Sequence, residues 1–288
     1  MSLHPLDVHA LLRKHQLEPR KGLGQNFLVD HAALLKIVEA ADLHPSDSVL
    51  EIGGGLGSLS RLLANQAAQV VVVEIDRRMI PALNEVLAGF KNVRVVQGDM
   101  LELKPEELIS TPGYLVVANI PYYITSALIR HLLDAPVKPS RMVLTMQSEV
   151  AKRICADPGE LSLLALSVQV FGHPEIAAEI PASSFYPSPN VDSSTLRVDL
   201  YPTPMIPIEQ LDSFFRLAKH GFSQKRKKLR NSLSAGLHIS GDQAAELLLS
   251  AGIDPNRRAQ TLDLVEWRTL VTEYLAANPS LNQKKANA

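Results

Sequence analysis

Residues whose types and spacing suit chemistry gather most densely at Asn119-Ile120-Pro121-Tyr122-Tyr123. This segment follows the apolar run Tyr114-Leu115-Val116-Val117-Ala118. The pattern predicts a buried strand that delivers Asn119 to the rim of a sheet, where open α/β sheets keep their ligands. The Asn119 amide oxygen and a backbone carbonyl left free by the proline turn make two acceptors aimed at one point, which suits one amino group. Tyr122, directly after the proline, is placed to lie flat on a planar base. Taken alone, the segment reads equally well as an Asn-initiated turn with packed tyrosines.

A second group surrounds Gly53-Gly54-Gly55-Leu56-Gly57. Glycines between a strand and its helix let the backbone pass close to a ligand that meets the helix dipole. Ser58 stands where the dinucleotide pattern Gly-x-Gly-x-x-Gly wants its last glycine, so the spacing is weak evidence by itself. Glu74 ends the next strand, positioned to accept both hydroxyls of a ribose. Asp99 follows the third strand with Met100 behind it, a carboxylate for an adenine amino group and an apolar cover for the ring. Acids at successive strand ends on one rim indicate a nucleoside ligand, either NAD or S-adenosylmethionine. NAD needs room for a second nucleotide and a hydride acceptor, whereas Asn119 and its neighbours supply acceptors for an amine. Methyl transfer is favoured, with an NAD-dependent oxidoreductase as the minor rival.

These residues need elements to carry them. Leu6 to His15 is a helix candidate, Arg20 to Leu28 a loop, and Asp30 caps a helix running through Ala41. Val49 to Ile52, Gln69 to Ile75, Val93 to Val96, Tyr114 to Ala118 and Met142 to Met146 read as strands alternating with helices, among them Ser58 to Ala67 and Thr125 to Leu133. That alternation predicts βαβ units and a mostly parallel sheet. Glu160 to Val170 reads as helix, and Ile176 to Ile180 and Thr195 to Leu200 as late antiparallel strands. After Tyr201-Pro202-Thr203-Pro204 the texture is helical over Ile208 to His220, Lys225 to Ser234, Gly241 to Ala251 and Leu264 to Asn278. The expected fold is α/β with a smaller, all-helical C-terminal domain, divided as 1–202 and 203–288.

The 288 residues, 46% of them hydrophobic, suffice for two cores. A net charge of −1 excludes a global field for polyanions, so nucleic-acid contact needs a local patch. Lys219, Lys225, Arg226, Lys227, Lys228 and Arg230 supply one, with Arg20, Lys21, Arg257 and Arg258 as possible extensions; a merely solvated helix face is the plain alternative. The single cysteine, Cys155, rules out an internal disulfide and a Cys-based zinc site, no metal site is expected, and a reducing cytoplasm fits. The amino-terminal stretch lacks a signal-peptide core, and no run approaches a membrane span.

Asn-x-Pro-aromatic after a strand resembles the adenine-specific aminomethyltransferases. The likeness narrows with Lys21-Gly22-Leu23-Gly24-Gln25-Asn26-Phe27-Leu28, Glu51-Ile52-Gly53 with Gly55-Leu56-Gly57, and Asn119 through Thr125. It continues in Met146-Gln147-Ser148-Glu149-Val150-Ala151, in Phe185-Tyr186-Pro187 with Pro189, and in Val191-Asp192-Ser193. Together these resemble the ribosomal RNA adenine dimethyltransferase family, from Lys21 into the C-terminal domain.

The resemblance implies a seven-stranded, Rossmann-like class I methyltransferase sheet and an RNA-binding helical domain. It implies an S-adenosylmethionine pocket lined by Gln25, Asn26, Leu28, Gly53, Gly55, Glu74, Ile75, Asp99, Met100 and Asn119. Asn119, Pro121, Tyr122 and Phe185 form the catalytic group, with Tyr122 and Phe185 on either side of a flipped base. The implied substrate is a pair of adjacent adenines in a hairpin loop near the 3′ end of 16S rRNA in the small ribosomal subunit, each methylated twice by a cytoplasmic monomer with a role in subunit biogenesis. Rivals are a large-subunit (23S) rRNA methyltransferase of the antibiotic-resistance type and a non-catalytic assembly or nucleic-acid-binding factor. Three positions depart from the family pattern: Gly54 stands for a frequent Pro and is expected to loosen its loop, Pro158 to Leu163 lacks a Tyr-Gly, and Asn190 replaces a frequent Lys.

Overall fold

In the computed structural model, which describes residues 3–120 and 124–279, seven of the chain's runs form one sheet. They are β1 (Ser48–Ile52), β2 (Gln69–Glu74), β3 (Val93–Gln97), β4 (Leu115–Asn119), β5 (Arg141–Gln147), β6 (Gly172–Ile180) and β7 (Ser193–Leu200), in the order β3-β2-β1-β4-β5-β7-β6. The first five pair in parallel, and β7 runs antiparallel to β5. Val70 to Val73 are all buried, as expected of a central parallel strand covered on both faces.

Helices alternate with these strands: α1 (Val8–Lys14), α2 (His31–Ala41), α3 (Ser60–Ala64), α4 (Ile80–Leu87), α5 (Pro105–Leu108), α6 (Thr125–Asp134) and α7 (Ser148–Ile154). Asp30 caps α2 by accepting from the amides of Ala32 and Ala33. Its buried face, Leu34, Ile37 and Val38, lies on β5 and β7. Together with Leu63, Val72, Leu83, Val117 and Val143 these residues make the core of the sheet unit.

The chain divides into two units, Met1–Lys152 with His173–Leu200, and Arg153–Gly172 with Tyr201–Ala288. The boundary expected at Tyr201-Pro202 therefore misses one segment: residues 153–172 leave the first unit and join the helical one. Their side chains explain it. Helix α8 (Leu163–Gln169) packs on α9 (Leu211–Phe222), Phe171 stacks on Phe215, and Gly159 exchanges hydrogen bonds with Gln260.

The rest of that unit is α10 (Leu229–Leu237), α11 (Gly241–Ser250) and α12 (Leu264–Ala277). It is built on the fully buried Trp267, flanked by Phe214 and Phe222. Capping boxes at Ser240 with Gln243 and at Asp263 with Glu266 start α11 and α12. Helix α10 begins at Leu229 rather than at Lys225. Residues 223–228 are all exposed, and with no apolar group to bury, four consecutive cations have nothing to offset helical crowding.

One pairing lay beyond local pattern. Phe27–Leu28, expected as loop, forms a two-residue ribbon with Phe185–Tyr186, matching Phe27 with Tyr186 and Leu28 with Phe185. Burial of Leu28 and Phe185, each 4% exposed, holds it.

Nor is the glycine loop loosened at Gly54. Its amide donates to the carbonyl of Val73 at 3.2 Å, and a Cβ on this residue would lie 2.3 Å from Cγ1 of Val72 and 3.1 Å from Cδ2 of Leu83. Val72 fills the space that a ring or methyl at position 54 would need. Gly54→Ala is expected to destabilise the protein by about 1–3 kcal/mol through overpacking, and Val72→Ala in the same chain should recover much of that loss. A denaturant-melt double-mutant cycle checks it; strictly additive effects would rule out the steric coupling.

Candidate functional site

Parallel pairing sets the C-terminal ends of three strands side by side. Ile52 on β1 lies opposite Val73 on β2 and Ala118 on β4, so Gly53, Glu74 and Asn119 emerge on one rim. Because β1 has β2 on one side and β4 on the other, the strand order reverses there, and the crevice beyond such a reversal is where these sheets hold ligands. A cleft lined by Gly53, Gly54, Gly55, Ser58, Glu74, Ile75, Asn119 and Ile120 occupies it.

The glycine turn fits the crevice for two reasons. Gly53, Gly55 and Gly57 have φ of +83°, +54° and +84°, a region that other residues adopt only under strain, and a Cβ at Gly53 would approach the Asn119 carbonyl at 3.5 Å. The turn also supplies a donor: the Gly55 amide meets Oε2 of Glu74 at 2.7 Å, while the Asp76 amide meets Oε1 at 2.7 Å. Glu74 is 4% exposed. Burial pushes its pKa up, the two amides pull it down, and the charge of Asp76 adds to the rise. Each carboxylate oxygen still has a lone pair to offer a hydroxyl.

Deeper in the same cleft lies a carboxyl that strand patterning alone does not assign. Glu51, next to last on β1, is 1% exposed and lines the cleft, and its Oε2 has no hydrogen-bond partner among the described residues. Burial raises its pKa to about 8; the nearby Ser60 hydroxyl lowers it, without forming a well-aligned bond, and Glu74 raises it further. An orphan buried acid of this kind marks a place for a cation or a hydrogen-bond donor. The signal in the sequence was an acid inside Val49-Leu50-Glu51-Ile52, a run that is otherwise apolar.

The N-terminal segment closes the cleft and orients Asn119. Its Nδ2 donates to the backbone carbonyl of Asn26 at 3.2 Å, so Oδ1 is the end left to accept, and among the described residues nothing donates to it. Asn26 in turn donates to the Gly24 carbonyl at 3.3 Å. Gln25 accepts from the Arg20 amide at 2.8 Å and donates to Oδ2 of Asp76 at 3.0 Å. Asp76 is buried, and the guanidinium of Arg78, bonded to both its oxygens, holds its pKa down at about 2, with Gln25 assisting. Residues 20–26 are thus strapped at one end to the acid beside Glu74 and at the other to the catalytic candidate Asn119.

Of the residues expected in the pocket, Gln25, Asn26, Leu28, Gly53, Gly55, Glu74, Ile75, Asn119 and Phe185 line the cleft. Asp99 and Met100 do not. Met100 is buried, and Oδ1 of Asp99 accepts from the Leu101 amide, yet Asp99 follows Gly98, whose amide meets the carbonyl of Glu74 at 3.0 Å. Pro121 and Tyr122 lie outside the described residues. Leu23, Phe27, Leu34 and Ile37 also line the cleft and were not foreseen as site residues; they are ordinary apolar positions that only the fold brings here.

In the helical unit, Lys219 ends α9 on an exposed turn, Lys225 to Lys228 form the exposed α9–α10 connection, and Arg230 is half-buried on α10. Lys228 is anchored to Oδ1 of Asn256 at 2.7 Å. Arg257, considered as an extension of this patch, is instead engaged with Glu266 and Thr261 and braces α12.

A family model described as ribosomal RNA adenine dimethylase matches residues 16–274. A ribosomal RNA small subunit methyltransferase A of Dehalococcoides mccartyi (strain CBDB1) is 45% identical over 93% of this chain and 92% of its own. One of the same name from Pelotomaculum thermopropionicum is 41% identical over 95% and 97%. Among solved structures, a dimethyladenosine transferase from Plasmodium falciparum superposes with a TM-score of 0.75 at 27% identity, covering 86% of this chain and 96% of that one. The 23S rRNA methyltransferase ErmE superposes with a TM-score of 0.71 at 29% identity, covering 86% and 99%. With the match spanning nearly the whole chain and the rim carrying an oriented asparagine beside a glycine turn and a buried acid, this chain belongs to the ribosomal RNA adenine dimethylase family.

Proposed function

We propose that this protein transfers methyl groups from S-adenosylmethionine to the exocyclic amines of two adjacent adenines in a hairpin loop near the 3′ end of 16S rRNA. Each amine is methylated twice, on the small ribosomal subunit during its biogenesis in the cytoplasm. The observation that carries this reading is the Asn119 amide, held by the Asn26 carbonyl so that its oxygen, to which no described residue donates, is the end turned to accept.

The residues present fit the cofactor. Glu74 is placed for the ribose, Ile75, 42% exposed at the rim, for apolar contact with the nucleoside, and the Gly53 to Gly57 turn for close backbone approach. The adenine end is assigned to Asp99, two residues beyond β3, for its amino group and to Met100 for its ring, which extends the site past the residues that line the cleft. The orphan oxygen of Glu51 suits the cationic amino group at the far end. When bound, S-adenosylmethionine supplies an electrophilic methyl on a sulfonium.

An adenine amine is a poor nucleophile because its lone pair is delocalised into the ring. Asn119 Oδ1, with the carbonyl of Ile120 or Pro121, takes the two amine protons as hydrogen bonds, draws the nitrogen toward tetrahedral geometry and stabilises the positive charge that grows on it. Tyr122 and Phe185 clamp the base, each stack worth about 1–3 kcal/mol. Holding the amine in line contributes up to about 7–11 kcal/mol. As the N–C bond forms the S–C bond would break to leave a neutral thioether, and the cationic nitrogen would then lose one proton to solvent, so no side chain has to act as a general base.

The likeness to ErmE keeps large-subunit RNA as the second reading. The relatives at 45% and 41% identity favour the small subunit. Labelled S-adenosylmethionine with undermethylated small or large subunits, followed by mapping of the modified adenines, decides between them.

Asn119→Ala is expected to lower single-turnover methylation by about 10²–10³-fold while leaving cofactor affinity nearly unchanged; an unaltered rate would remove the assignment. Arg226→Glu should weaken subunit binding and flatten its salt dependence, and a variant matching wild type in both would take the exposed α9–α10 turn out of the RNA interface. Glu51 gives a pH signature. Its folded pKa of about 8 exceeds the ordinary 4.5, so its contribution to the stability of the ligand-free protein is present below pH 4.5 and lost as pH rises through 8. Cofactor binding should favour the ionised form, release a proton near neutrality and tighten up to about pH 8. Calorimetry in buffers of different ionisation heat tests this, and Glu51→Gln should abolish the pH dependence.

A further inference from the structure

A second cavity lies on the outer side of the same N-terminal segment, and the chemistry described so far leaves it without a role. It is a groove of about 480 Å³ between α1 and the ribbon, lined by His9, Arg13, Gln16, Glu18, Arg78 and Tyr186 among others. That volume falls in the range of about 300–1,000 Å³ usual for small-ligand pockets.

Its polar wall is ordered by helix geometry. His9, Arg13 and Gln16 are spaced four and three residues apart, one stripe along α1 and the turn after it. The adjoining apolar stripe of α1 is anchored, because Val8 and Leu12 are buried against Leu56, Met79 and Ala82, with Leu12 also at the floor of the groove. The remaining basic side chains nearby are committed. Lys14 and His15 both bind Glu85 at 2.5 and 3.0 Å, and Arg78 is bonded to Asp76 at 2.7 Å while also facing Glu18. Arg13 is exposed, and its guanidinium has no hydrogen bond or ion pair with any described residue.

The other wall is aromatic. Tyr186 is 39% exposed, and the His9 ring meets it edge-on with centroids 4.3 Å apart, which fixes the phenol and leaves part of its surface to solvent. Phe185 and Tyr186 are consecutive in the ribbon, so their side chains face opposite sides of it. Phe185 lines the cofactor cleft and Tyr186 lines the groove. A π-surface with one unpaired guanidinium beside it matches a nucleotide, base against ring and phosphate on the cation.

We propose that this groove is a subsite for the nucleotide flanking the target adenine in the RNA strand, with its base against Tyr186 and its phosphate at Arg13. The proposal rests on the RNA adenine methylation reading above. One thickness of ribbon separates the base held by Phe185 from this neighbour, so a strand with its target base flipped would straddle the ribbon. Glu18 on the groove wall keeps the net charge low, which makes recognition depend on the stack as well as on the phosphate.

The test uses the full chain, undermethylated small subunits and labelled S-adenosylmethionine. Arg13→Glu should raise KM for subunits about five- to tenfold and reduce the slope of affinity against salt by about one phosphate contact. Tyr186→Ala should raise KM about tenfold, whereas Tyr186→Phe keeps the stack and should behave as wild type. Cofactor affinity and melting temperature should be unchanged in all three. A photoreactive side chain in place of His9 should crosslink to a nucleotide adjacent to the modified adenines. Wild-type KM and salt slope in Arg13→Glu and Tyr186→Ala overturn the subsite, as do crosslinks confined to distant RNA, or a Tyr186→Ala defect that Phe fails to rescue and that lowers cofactor affinity equally. Wild-type turnover on small subunits separates these failures from failure of the methylation reading: without it, both fall.

Discussion

Strand β1 is hydrogen-bonded to β2 along one edge and to β4 along the other, and the cleft depends on that double pairing. Gly53, Glu74 and Asn119 are far apart in sequence and reach one rim because the register sets Ile52 beside both Val73 and Ala118. A one-residue slip of β4 would turn Asn119 to the other face of the sheet. The buried valines of β2 and the apolar run of β4 make such a slip costly, since it would expose side chains that are now fully covered. Hydrophobic burial in the sheet is therefore what fixes the position of the polar groups at its edge.

That rim carries an electrostatic cost. Glu51 and Glu74 are both nearly inaccessible, and burial first, with the charge of Glu74 adding to it, raises the pKa of Glu51 to about 8 and favours its protonated form near neutrality. Asp76, two residues beyond Glu74, is equally buried and yet strongly acidic, because Arg78 and Gln25 bond to it. Three carboxyls in one neighbourhood thus sit in different states: one satisfied mainly by side-chain donors, one by backbone amides, and one with an oxygen, Oε2 of Glu51, that has no partner among the described residues. The unsatisfied one faces the cleft. Stability would be better served by an apolar residue on β1, so this placement is intelligible as a site kept ready for an external cation.

Much of this was legible in the sequence, and the limits were physical. Alternating strand and helix periods announced the α/β unit, and acids or amides at successive strand ends announced the rim, because both signals are local. Phe27–Leu28 pairing with Phe185–Tyr186 was not legible, since two-residue strands have no period and their partners lie at opposite ends of the unit. The transfer of residues 153–172 to the helical unit was hidden for a similar reason: the prolines after Tyr201 mark a turn, while contacts such as Phe171 on Phe215 decide which core a segment joins. Gly54 misled because a missing side chain looks like slack until Val72 is seen filling the space. Glu51 was visible as an anomaly, an acid in an apolar strand, but its consequence needed burial and the absence of a partner.

The N-terminal segment shows how a short piece of irregular chain can set geometry on two sides at once. Its inner face holds the Asn119 amide through a backbone carbonyl, so the orientation of the acceptor does not rely on any one side chain of the strap. A main-chain carbonyl survives substitution, whereas the Gln25 to Asp76 bond that positions it is a side-chain contact. Its outer face is pinned by α1, whose apolar side is buried against Leu56, within the glycine turn, and Met79, five residues past Glu74. The segment is thus fastened to the same loops that hold Glu74, and displacement of one face would be felt at the other. A strap bonded to Asn119 through one residue and to Asp76 through the one before it ties the strand-end amide and the strand-end acids to a single set of contacts, so that their separation is fixed by the chain itself.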